Sequence, residues 1–590
     1  MMQIFRPEPV LKSRPINEAV RRALCDQGIE PFLARIIATR VDAPDKALAL
    51  IKLRLGALTD PFKMKGMEKA VSRVIEAIQK GEIIGLETDH DCDGQTSHAV
   101  LFEALTKIFQ HPKAKVLSYI GHRMEEGYGL SDALAKRILN SPVKPTLVIT
   151  ADNGSSDEVR IAVLKTHGID TIVTDHHAIP EEGVPKSACA VLNPTQSDCC
   201  FNDPFIAGCM VAWLLVAGVR KKMKALDILP DSAYQITELL DFVAVGTIAD
   251  CVSMARSVNN RIAAYYGMIK ISQKKRACWQ AFSDYFHHKV DSELLGFLIA
   301  PLLNSDGRMA DALSSVNFLL SEKVDETLRW IDFLHSQNQK RKAVQKAMTA
   351  VAMTGAFAQY RRGKNSICIY LDNGHAGVHG ISASRLKDAF GRPVILFSPK
   401  LGEDNVISGS ARSVDGINIK AVLDTIAGDS EGIFIKYGGH SGAAGMTILK
   451  SQFENFTVLF EKTVSELVEQ KSLSLMPVIY TEGALKSEEL SLTTVDKIAE
   501  LEPFGREFEA PIFCNSASII SLKWVGKDRA HLQLHLQIEN KCLKAIWFFA
   551  AEFSHSENLR MEAEVTVAYR ICKEHFNGQT QLSLKVEYLY

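Results

Sequence analysis

One region of the chain contains four short apolar runs that are rich in β-branched residues. They are residues 83–86, 147–150, 171–174 and 242–249. Stretches with apolar residues at helical spacing separate the runs. Short β-branched runs that alternate with helices predict buried parallel strands with helices on both faces. We therefore predict a doubly wound α/β domain with a parallel sheet over residues 82–260.

The chain on either side of this domain has helical patterns. Before it, apolar residues recur at helical spacing over residues 16–28 and 67–79, which predicts a helical segment, residues 1–81, packed on the α/β domain. After it, residues 261–357 are dominated by helical spacing, and residues 327–350 contain no Gly or Pro. We predict a helical connector there that contains one long helix.

The second half of the chain predicts two further domains. Strand-like runs between helical stretches favour a smaller α/β domain over residues 358–472; the runs are residues 366–370, 393–397 and 432–435. Beyond it, short segments of alternating polar and apolar residues, such as 532–538 and 565–569, predict a β-barrel within residues 473–590.

Acidic residues follow each of the four apolar runs. In chain order the polar residues are Asp89, Asp91 and Asp93, then Asp152, then Asp175, His176 and His177, and finally Asp250. Because parallel strands present their carboxyl ends at one edge of a sheet, where open α/β sheets bind ligands, we expect these side chains to share one rim. The competing interpretation is that each Asp only caps a turn or a helix. It explains Asp152 equally well, but it does not explain four segments together.

This acidic rim has a chemical consequence. Clustered carboxylates repel one another and are costly to desolvate, so a rim that collects them needs divalent cations. Aspartate ligands with a minority of histidine favour Mn²⁺ or Mg²⁺ over metals that prefer thiolate. Two such ions side by side activate a water and stabilise the leaving oxygen of a phosphodiester. The pattern therefore predicts two divalent cations, Mn²⁺ or Mg²⁺, and hydrolysis of a phosphate ester.

Composition narrows the class of protein only slightly. A chain of 590 residues forms several domains, and 46% hydrophobic with 23% charged residues is ordinary for a globular protein. Lys and Arg number 68 against 69 for Asp and Glu, so no overall positive field indicates nucleic acid. Contacts with DNA would come from local basic runs, residues 220–224, 274–276 and 340–342, although such runs are more often solvated helix faces.

Cysteine spacing and the lack of targeting signals predict a cytoplasmic protein. The 12 cysteines show no paired spacing typical of zinc sites, which favours reduced thiols. The longest apolar stretch, residues 205–219, is too short to span a bilayer and predicts a buried helix. Residues 1–7 lack the charged, apolar and cleavage regions of a secretory signal. We expect no association with a membrane.

In its motifs the chain resembles the DHH phosphoesterases, and within them the RecJ-type single-strand exonucleases. Four segments are similar to the four DHH motifs: residues 89–94, 152–154, 175–177 and 246–250. Two more resemble landmarks of the RecJ type, residues 121–130 and 304–308. The substrate-binding motifs of the companion DHHA1 domain resemble residues 408–413 and 438–445. The resemblance extends from about residue 80 to the C-terminus.

The resemblance implies an activity and an architecture. RecJ-type enzymes hydrolyse single-stranded DNA from its 5′ end to mononucleotides in DNA repair and recombination, so we expect a metal-dependent exonuclease of this kind. Residues 82–260 would form the DHH catalytic domain, residues 358–472 the DHHA1 substrate-binding domain and residues 473–590 an OB-fold that binds DNA. The chain departs from its relatives after Gly505, where residues 506–511 replace the usual Gly-Asn-Pro turn.

The same resemblance implies the metal ligands, motif by motif. Asp91 would bind one ion, Asp152 would bridge the two ions, and Asp89 would be an extra ligand or a supporting group. The second ion would be held by Asp93, His176 and Asp250. His177 would face the scissile phosphate, and Asp175 would orient a neighbouring group. A lone histidine is usually a core residue, but an aspartate directly before two histidines at a strand end favours a ligand.

The residues that bind substrate are implied in the same way. Arg123 would bind the 5′-phosphate and Tyr128 a nucleotide, while Arg308 would be a further phosphate contact. In the DHHA1 domain the implied residues are Ser410 and Arg412, which would complete the terminal-phosphate pocket, and His440, on a glycine loop. Without the resemblance, Arg-rich and Gly-rich segments are more often structural, and residues 438–445 would fit a tight entry into a helix equally well.

These assignments predict the polarity and the partners. If the terminal phosphate is held while the ions address the adjacent linkage, only a free 5′ end places a bond on the ions. A narrow cleft between domains would exclude duplex DNA, and Trp524 and Phe548 are candidates for stacking on bases, although barrel aromatics are usually core. We expect a monomer whose partner is single-stranded DNA, with a single-strand-binding protein or a helicase as further candidates.

Two alternatives belong to other functional classes. A DHH-family phosphodiesterase acting on short oligonucleotides or cyclic dinucleotides would share the acidic motifs, but it would not need the predicted barrel. A non-catalytic scaffold that binds single strands would keep the fold and lose ligands, whereas every motif acid is present here. The sequence therefore favours an active exonuclease.

Overall fold

The structure is a computed structural model that describes residues 6–122, 126–231, 234–309, 312–576 and 578–590. Its contacts divide the chain into two units. The first unit comprises Asn17–Gln339 and Leu501–Ala510, and the second comprises Met1–Ile16, Lys340–Glu500 and Pro511–Tyr590. The first unit therefore contains all the predicted metal ligands.

Helices and strands alternate along much of the chain. The helices are α1 (Glu18–Asp26), α2 (Pro31–Ala38), α3 (Pro44–Ile51), α4 (Met67–Lys80), α5 (Cys92–Glu103), α6 (Asp132–Leu139), α7 (Glu158–Thr166), α8 (Gly208–Ala225), α9 (Leu240–Ala249), α10 (Val258–Ser272), α11 (Ala277–Phe286), α12 (Ser292–Leu294), α13 (Ala300–Met309), α14 (Leu313–Leu320), α15 (Val324–Arg361), α16 (His379–Phe390), α17 (Ile419–Asp429), α18 (Phe453–Gln470) and α19 (Leu492–Ala499). The strands are β1 (Val10–Ser13), β2 (Ile84–Thr88), β3 (Val116–Ile120), β4 (Leu147–Ala151), β5 (Asp170–Thr174), β6 (Ala190–Leu192), β7 (Ile367–Tyr370), β8 (Val394–Pro399), β9 (Val406–Arg412), β10 (Lys436–Gly439), β11 (Ala443–Leu449), β12 (Val478–Thr481), β13 (Phe513–Val525), β14 (His531–Ile538), β15 (Lys541–Trp547), β16 (Glu564–Phe576) and β17 (Gln579–Leu589).

The first unit is built on a five-stranded parallel sheet in the order β3-β2-β4-β5-β6. Apolar residues of α6 and α7 pack on one face, where Leu134, Ile161 and Leu164 join Val148 and Val173 of the sheet. Helices α5 and α8 contact the central strands from the other face. The predicted doubly wound α/β domain is confirmed, and three of the four apolar runs are central strands of its sheet.

The fourth apolar run, residues 242–249, is not a strand. It forms most of helix α9, which packs against α5, α8 and α10. Its residues are buried on every side, so the run has no polar face, and a short run that is apolar all round fits a buried strand and a buried helix equally well. The strand prediction was therefore wrong, and Asp250 lies at the end of a helix.

The long connecting helix is α15, which extends the predicted residues 327–350 at both ends. From Lys340 onward it belongs to the second unit, where Met348, Ala352 and Ala356 pack with Leu386 and Phe390 of α16 against the second sheet. Helices α17 and α18 cover the opposite face of this sheet through a second apolar cluster. This is the predicted smaller α/β domain.

The second sheet has the order β10-β11-β9-β8-β7, with β7 and β8 parallel and the other pairs antiparallel. The predicted strand at residues 432–435 is wrong, because the strand is β10, which begins at Lys436. Residues 438–445 form the β10–β11 hairpin, so the alternative of a tight helix entry is also wrong.

The C-terminal part of the second unit is a closed barrel of five strands in the order β13-β14-β15-β17-β16. This confirms the predicted β-barrel. Strand β1 pairs in parallel with β12, so the first residues of the chain belong to the second unit rather than to the predicted helical segment. Among the described residues, no helix is both long enough and apolar enough to cross a membrane.

The three basic runs are largely occupied by contacts within the protein. In the run 274–276, Arg276 is only 12% exposed and forms ion pairs with the buried acids Glu103 and Asp241. In the run 340–342, Arg341 is buried and donates to Gln345 Oε1 at 2.5 Å. Lysines of the run 220–224 form ion pairs with acidic side chains, Lys221 with Asp60 and Lys222 with Glu68. These runs therefore offer less free positive charge than the sequence suggests.

His98 on α5 is fully buried against the parallel sheet. Its ring nitrogens form hydrogen bonds with Thr88 Oγ1 at 3.3 Å and with Ser118 Oγ at 2.9 Å. Burial lowers the pKa of His98 from 6.5 to about 4. Between these two values the unfolded chain binds a proton that the folded chain does not. The folded state is therefore destabilised as the pH falls from about 6.5 toward 4.

We predict that His98→Gln weakens this pH dependence. Between pH 6.5 and 4 the unfolding free energy of the wild type should fall by about 3 kcal/mol more than that of the variant. The measurement is urea unfolding, followed by fluorescence at a series of pH values. His288→Gln is the matched control, because His288 is exposed, and it should follow the wild type. Parallel curves for the wild type and His98→Gln would refute the prediction.

Candidate metal centre

Three neighbouring strands deliver an aspartate to the same edge of the parallel sheet. The register aligns Thr88 with Ala151 and Ala151 with Thr174, the last residues of β2, β4 and β5. The next residues continue the ladder: the amide of Asp89 donates to Ala151 O at 3.3 Å, and the amide of Asp152 to Thr174 O at 2.9 Å. Asp175 extends β5 by donating to Leu192 O at 2.9 Å. The backbone itself therefore places the three carboxylates side by side.

Helix N-termini hold the next two acids. Asp91 caps α5, because its Oδ1 accepts from the amides of Asp93 at 3.0 Å and Gly94 at 3.2 Å. Asp93 is buried, and its two oxygens accept from the amides of Gly208 at 2.7 Å and Cys209 at 2.9 Å at the start of α8. Helix N-termini favour negative charge. The capping interpretation is therefore correct for Asp91 Oδ1, and it leaves Oδ2 available as a ligand.

Asp250 reaches the same rim from the C-terminal end of α9. Its Oδ2 lies 3.7 Å from His176 Nε2. The Asp250 side chain is 28% exposed, which is more than Asp93 and Asp152, the two other acids near His176. A carboxylate at a helix C-terminus faces the negative end of the helix dipole. This position is unfavourable unless a cation is near.

Six predicted ligands converge in overlapping groups whose ligand atoms lie within 4.8 Å of one another. One group is Asp89, Asp91 and Asp152, another is Asp93, His176 and Asp250, and a third is Asp152, His176 and His177. Asp152 belongs to the first and third groups, and His176 belongs to the second and third, so the third group links the other two. This is the arrangement expected where one carboxylate lies between two cations.

Two buried ligand atoms at the centre of the groups make no hydrogen bond with any described residue. They are Asp152 Oδ1 and His176 Nε2, which lie 3.1 Å apart. Asp152 has a left-handed backbone with φ 65°, and a Cβ on Gly208 would lie only 2.6 Å from its Oδ1. This packing therefore requires glycine at position 208. It keeps Asp152 Oδ1 close to His176 Nε2.

The acids strongly perturb one another. Burial, together with Asp93, Asp91 and other nearby carboxylates, raises the pKa of Asp152 well above its usual range, and the same causes raise the pKa of Asp250. Burial lowers the pKa of His176, so its imidazole is neutral at physiological pH and can act as a ligand. Unpaired oxygens, one neutral imidazole and excess negative charge fit hard divalent cations such as Mn²⁺ or Mg²⁺.

His177 is held beside this cluster by Asp175. Its Nδ1 lies 2.8 Å from Asp175 Oδ1, and the ring is 45% exposed. Although burial opposes the charged imidazole, the contact with Asp175 raises the pKa of His177 to about 9, and the pKa of Asp175 is lowered in return. Asp175 also accepts from the amide of Ser155 at 2.9 Å. These contacts fix the Asp175 carboxylate beside the His177 ring, and the role of Asp175 in the reaction stays a prediction.

Two predicted substrate residues of the first unit lie next to the rim. Tyr128 is 63% exposed, and its ring contacts that of His90 edge-on with centroids 4.7 Å apart. Arg308 is on α13, whose Gly307 packs on the His90 carbonyl, where a Cβ would lie at 2.3 Å. Arg123 falls outside the described residues, so its role stays a prediction.

The other predicted substrate residues lie on the second sheet. Ser410 and Arg412 project from the same side of β9, and Arg412 NH1 donates to Ser410 Oγ at 3.2 Å. A Cβ on Gly380, in the first turn of α16, would lie 2.3 Å from Arg412 NH2, so the guanidinium packs on a helix N-terminus. His440 follows β10, and its amide donates to Ala443 O at 2.8 Å. The roles of all three stay predictions.

Several supporting residues have no signal in the sequence pattern. The amides of Gly208 and Cys209 that hold Asp93 occur within an apolar run. Asn193 donates to the carbonyl of His177 at 2.9 Å, and Asn304 Oδ1 accepts from the amide of Cys92 at 2.9 Å. Residues 304–308 resemble a RecJ-type motif, and this contact with the first residue of α5 gives that motif a structural role.

Comparison with protein families identifies three domains in the chain. A model of the DHH family N-terminal domain matches residues 83–247, a DHHA1 domain model matches residues 363–466, and a RecJ OB domain model matches residues 481–588. The first match contains five of the six predicted metal ligands, and Asp250 follows it closely.

Similarity to complete proteins extends over most of the chain. The single-stranded-DNA-specific exonuclease RecJ of Haemophilus influenzae is 33% identical over 553 residues, which are 91% of this chain and 92% of that protein. The chain belongs to the RecJ family. RecJ of Escherichia coli is 29% identical over 98% of this chain and 99% of its own length.

Solved structures of RecJ share the fold. The crystal structure of RecJ from Thermus thermophilus in complex with Mn²⁺ matches with a TM-score of 0.78 at 23% identity, covering 99% of this chain and 80% of that one. A structure of exonuclease RecJ bound to manganese matches with a TM-score of 0.56 at 26% identity, covering 70% of this chain and 98% of that one. The RecJ family architecture thus accounts for both units.

We predict that Asp152→Asn stabilises the protein in chelator. Asn has the same shape and tolerates the left-handed backbone, while the variant removes one charge from the repelling cluster. The unfolding free energy should rise by roughly 1–3 kcal/mol, because this side chain no longer repels the neighbouring buried carboxylates. Added Mn²⁺ should then raise the melting temperature of the wild type more than that of the variant.

The control for this experiment is Asp198→Asn, a surface acid that forms an ion pair with Lys65. It should respond to Mn²⁺ as the wild type does. Equal stabilisation of the wild type and Asp152→Asn by Mn²⁺ would show that Asp152 is not a ligand.

Proposed function

We propose that this protein is a metal-dependent exonuclease that hydrolyses single-stranded DNA from its 5′ end to mononucleotides, as the RecJ family relationship suggests. One observation carries the proposal: three ligand groups at the rim of the parallel sheet overlap, one pair of groups through Asp152 and another pair through His176. Such a shared arrangement suits two cations acting on one phosphodiester.

In this proposal the two ions are Mn²⁺ or Mg²⁺. Asp89 and Asp91 would hold one ion with Asp152, and Asp93, His176 and Asp250 would hold the other. When bound, the cations would supply an activated water and stabilise the charge that develops on the leaving oxygen. His177, fixed by Asp175 and partly exposed, would face the scissile phosphate and donate a hydrogen bond to its oxygen.

Other residues would bind the terminal phosphate, further phosphates and a nucleotide of the strand. We assign the terminal phosphate to Arg123, Ser410 and Arg412, with His440 and Arg308 as further phosphate contacts and Tyr128 as a contact to a nucleotide. The packing of Arg412 on the first turn of α16 supports this assignment, because helix N-termini favour anions. A bound terminal phosphate would require a free 5′ end.

The barrel would bind the strand farther from its end. Phe548 is 45% exposed, and its ring contacts that of His531 with centroids 5.3 Å apart. An exposed aromatic ring that contacts a second ring suits stacking on bases without regard to sequence. Trp524 is only partly exposed and is the weaker of the two candidates.

The proposal includes the setting in which the protein works. Each of the 12 cysteines is free, which supports the reducing cytoplasm. All six proposed ligands come from one chain, so a monomer suffices for activity. A single-strand-binding protein or a helicase would supply the single strand.

A phosphodiesterase acting on short oligonucleotides or cyclic dinucleotides remains the second candidate. It would use the same acidic rim. The closed barrel and its match to the RecJ OB domain favour the exonuclease, because a dinucleotide is too short to need a second binding domain.

We predict that nucleotides are released from the 5′ end only. Single strands labelled at the 5′ or the 3′ end are incubated with Mn²⁺, and released label is followed over time. The 5′ label should appear as mononucleotide first. Asp152→Asn should lower the rate at least about 100-fold, more than the loss of a residue that only supports a ligand. Equal loss of both labels would refute the polarity, and undiminished cutting by the variant would refute the site.

We also predict that Phe548→Ala weakens binding of long single strands about tenfold, because stacking on one base is lost. Release of nucleotides from very short strands should change little. The measurement is fluorescence anisotropy with labelled strands of several lengths. Leu401→Ala, at another exposed apolar residue, is the control. A weakening that is the same at all lengths would contradict the assignment to the barrel.

A further inference from the structure

A short segment before the barrel belongs to the first unit, although the chain on either side of it belongs to the second. We call this segment, Leu501–Ala510, the strap. It follows α19 and precedes β13, and it contains Phe508, which is fully buried. Of residues 506–511, which replace the usual Gly-Asn-Pro turn, the first five lie within the strap.

The strap is fixed to the first unit by buried arginine. Arg261 is 1% exposed, and its guanidinium donates to Pro503 O at 2.7 Å and Leu501 O at 2.9 Å. The same guanidinium stacks on the Phe508 ring at 4.1 Å. Farther along, Arg40 Nε donates to Glu509 O at 3.0 Å. Contacts at both ends therefore leave the middle of the strap little freedom.

The middle of the strap lies against the loop that follows Asp250. The amide of Met254 donates to Arg506 O at 2.9 Å, and a Cβ on Gly505 would lie 2.7 Å from Met254 Cγ. The neighbouring Glu507 side chain forms a hydrogen bond with Ser253 Oγ. The backbone of Arg506 is thus hydrogen-bonded to a residue only four positions after a proposed metal ligand.

The Arg506 side chain is exposed, and it forms no ion pair with any residue that the structure describes. Burial, Asp93 and Asp91 raise the pKa of Asp250, and the positive charge of Arg506 opposes that rise. Of the clustered acids that contact His176, Asp250 is the most exposed, and the strap lies against the loop that follows it. A guanidinium that is held close to the rim but not paired with it can capture an incoming phosphate.

We propose that Arg506 binds a backbone phosphate of the single strand beside the catalytic centre. The inference rests on the proposed function and adds a substrate contact to that same site. The competing role is electrostatic: Arg506 would only offset the negative charge of Asp250. The two roles differ in what they change, because a phosphate contact alters DNA affinity and an offset charge alters the requirement for metal.

The test compares Arg506→Ala and Arg506→Lys with Arg22→Ala, which removes the same charge from an exposed position on α1. Hydrolysis of a short 5′-phosphorylated strand is measured as a function of substrate and Mn²⁺ concentration. We expect Arg506→Ala to raise KM about tenfold, the loss of one hydrogen-bonded contact to a charged group. The value of kcat and the half-saturating Mn²⁺ concentration should stay close to those of Arg22→Ala.

Salt dependence gives a second measurement that does not need hydrolysis. Binding of the labelled strand is followed in the Asp152→Asn background at several salt concentrations. Removing one phosphate contact should reduce the slope of log affinity against log salt by about 0.7 for a single strand. Arg506→Lys should keep this slope and lose part of the affinity, because lysine retains the charge but not the bidentate geometry.

Distinct outcomes would overturn each claim. A KM and a salt slope equal to those of Arg22→Ala would exclude Arg506 as a phosphate contact. An altered Mn²⁺ requirement with unchanged DNA affinity would establish the electrostatic role instead. A wild-type protein that releases no nucleotide would refute the proposed function, and the binding measurements would still decide the role of Arg506.

Discussion

Repulsion between buried carboxylates is the constraint on which the first unit depends. Strand ends bring Asp89 and Asp152 together, and Asp91 and Asp93 join them at helix N-termini, where backbone amides offset part of the charge of these two acids. Both oxygens of Asp93 accept from amides at the start of α8, and one oxygen of Asp91 accepts from amides at the start of α5. These donors fix the acids in position without neutralising them, since an amide carries only a partial charge. The amides leave most of the negative charge of the carboxylates uncompensated. A divalent cation would bind to this remaining charge, so the fold forms a cation-binding site.

The same constraint explains why the sequence predicts the site better than it predicts the elements around it. The strand ends at Asp89, Asp152 and Asp175 follow from β-branched runs, whose short length and position between helices indicate parallel strands. The run before Asp250 carries no such information, because a helix buried on every side has no polar face. Its aspartate could still be assigned to the rim, since an acid after a buried run is costly in either type of element. The chemistry of the site was therefore predictable where the secondary structure was not.

Other features were beyond prediction because they depend on contacts between distant parts of the chain. No local pattern distinguishes the amides of Gly208 and Cys209 from others in an apolar helix, and their role comes from the approach of α8 to α5. The free positive charge of the basic runs could not be judged from local sequence for the same reason, because Arg276 forms ion pairs with two buried acids that are distant in sequence. The strap is the largest such feature. Arg261 is so deeply buried that its pKa falls to about 9, and carbonyls of the strap accept its hydrogen bonds.

Charge also limits the order in which cations and DNA bind. The chain has a formal net charge of −1, its basic runs are largely engaged within the protein, and the rim is acidic. A phosphate that approached the bare rim would be repelled by Asp152 and Asp250, so bound cations would favour binding of the strand near the catalytic centre. If the proposed ligands hold two cations, His177 and Arg506 would lie beside a positive surface that attracts phosphate. Affinity for the strand and affinity for the metal must then be linked, because each ligand increases the binding of the other by the same factor.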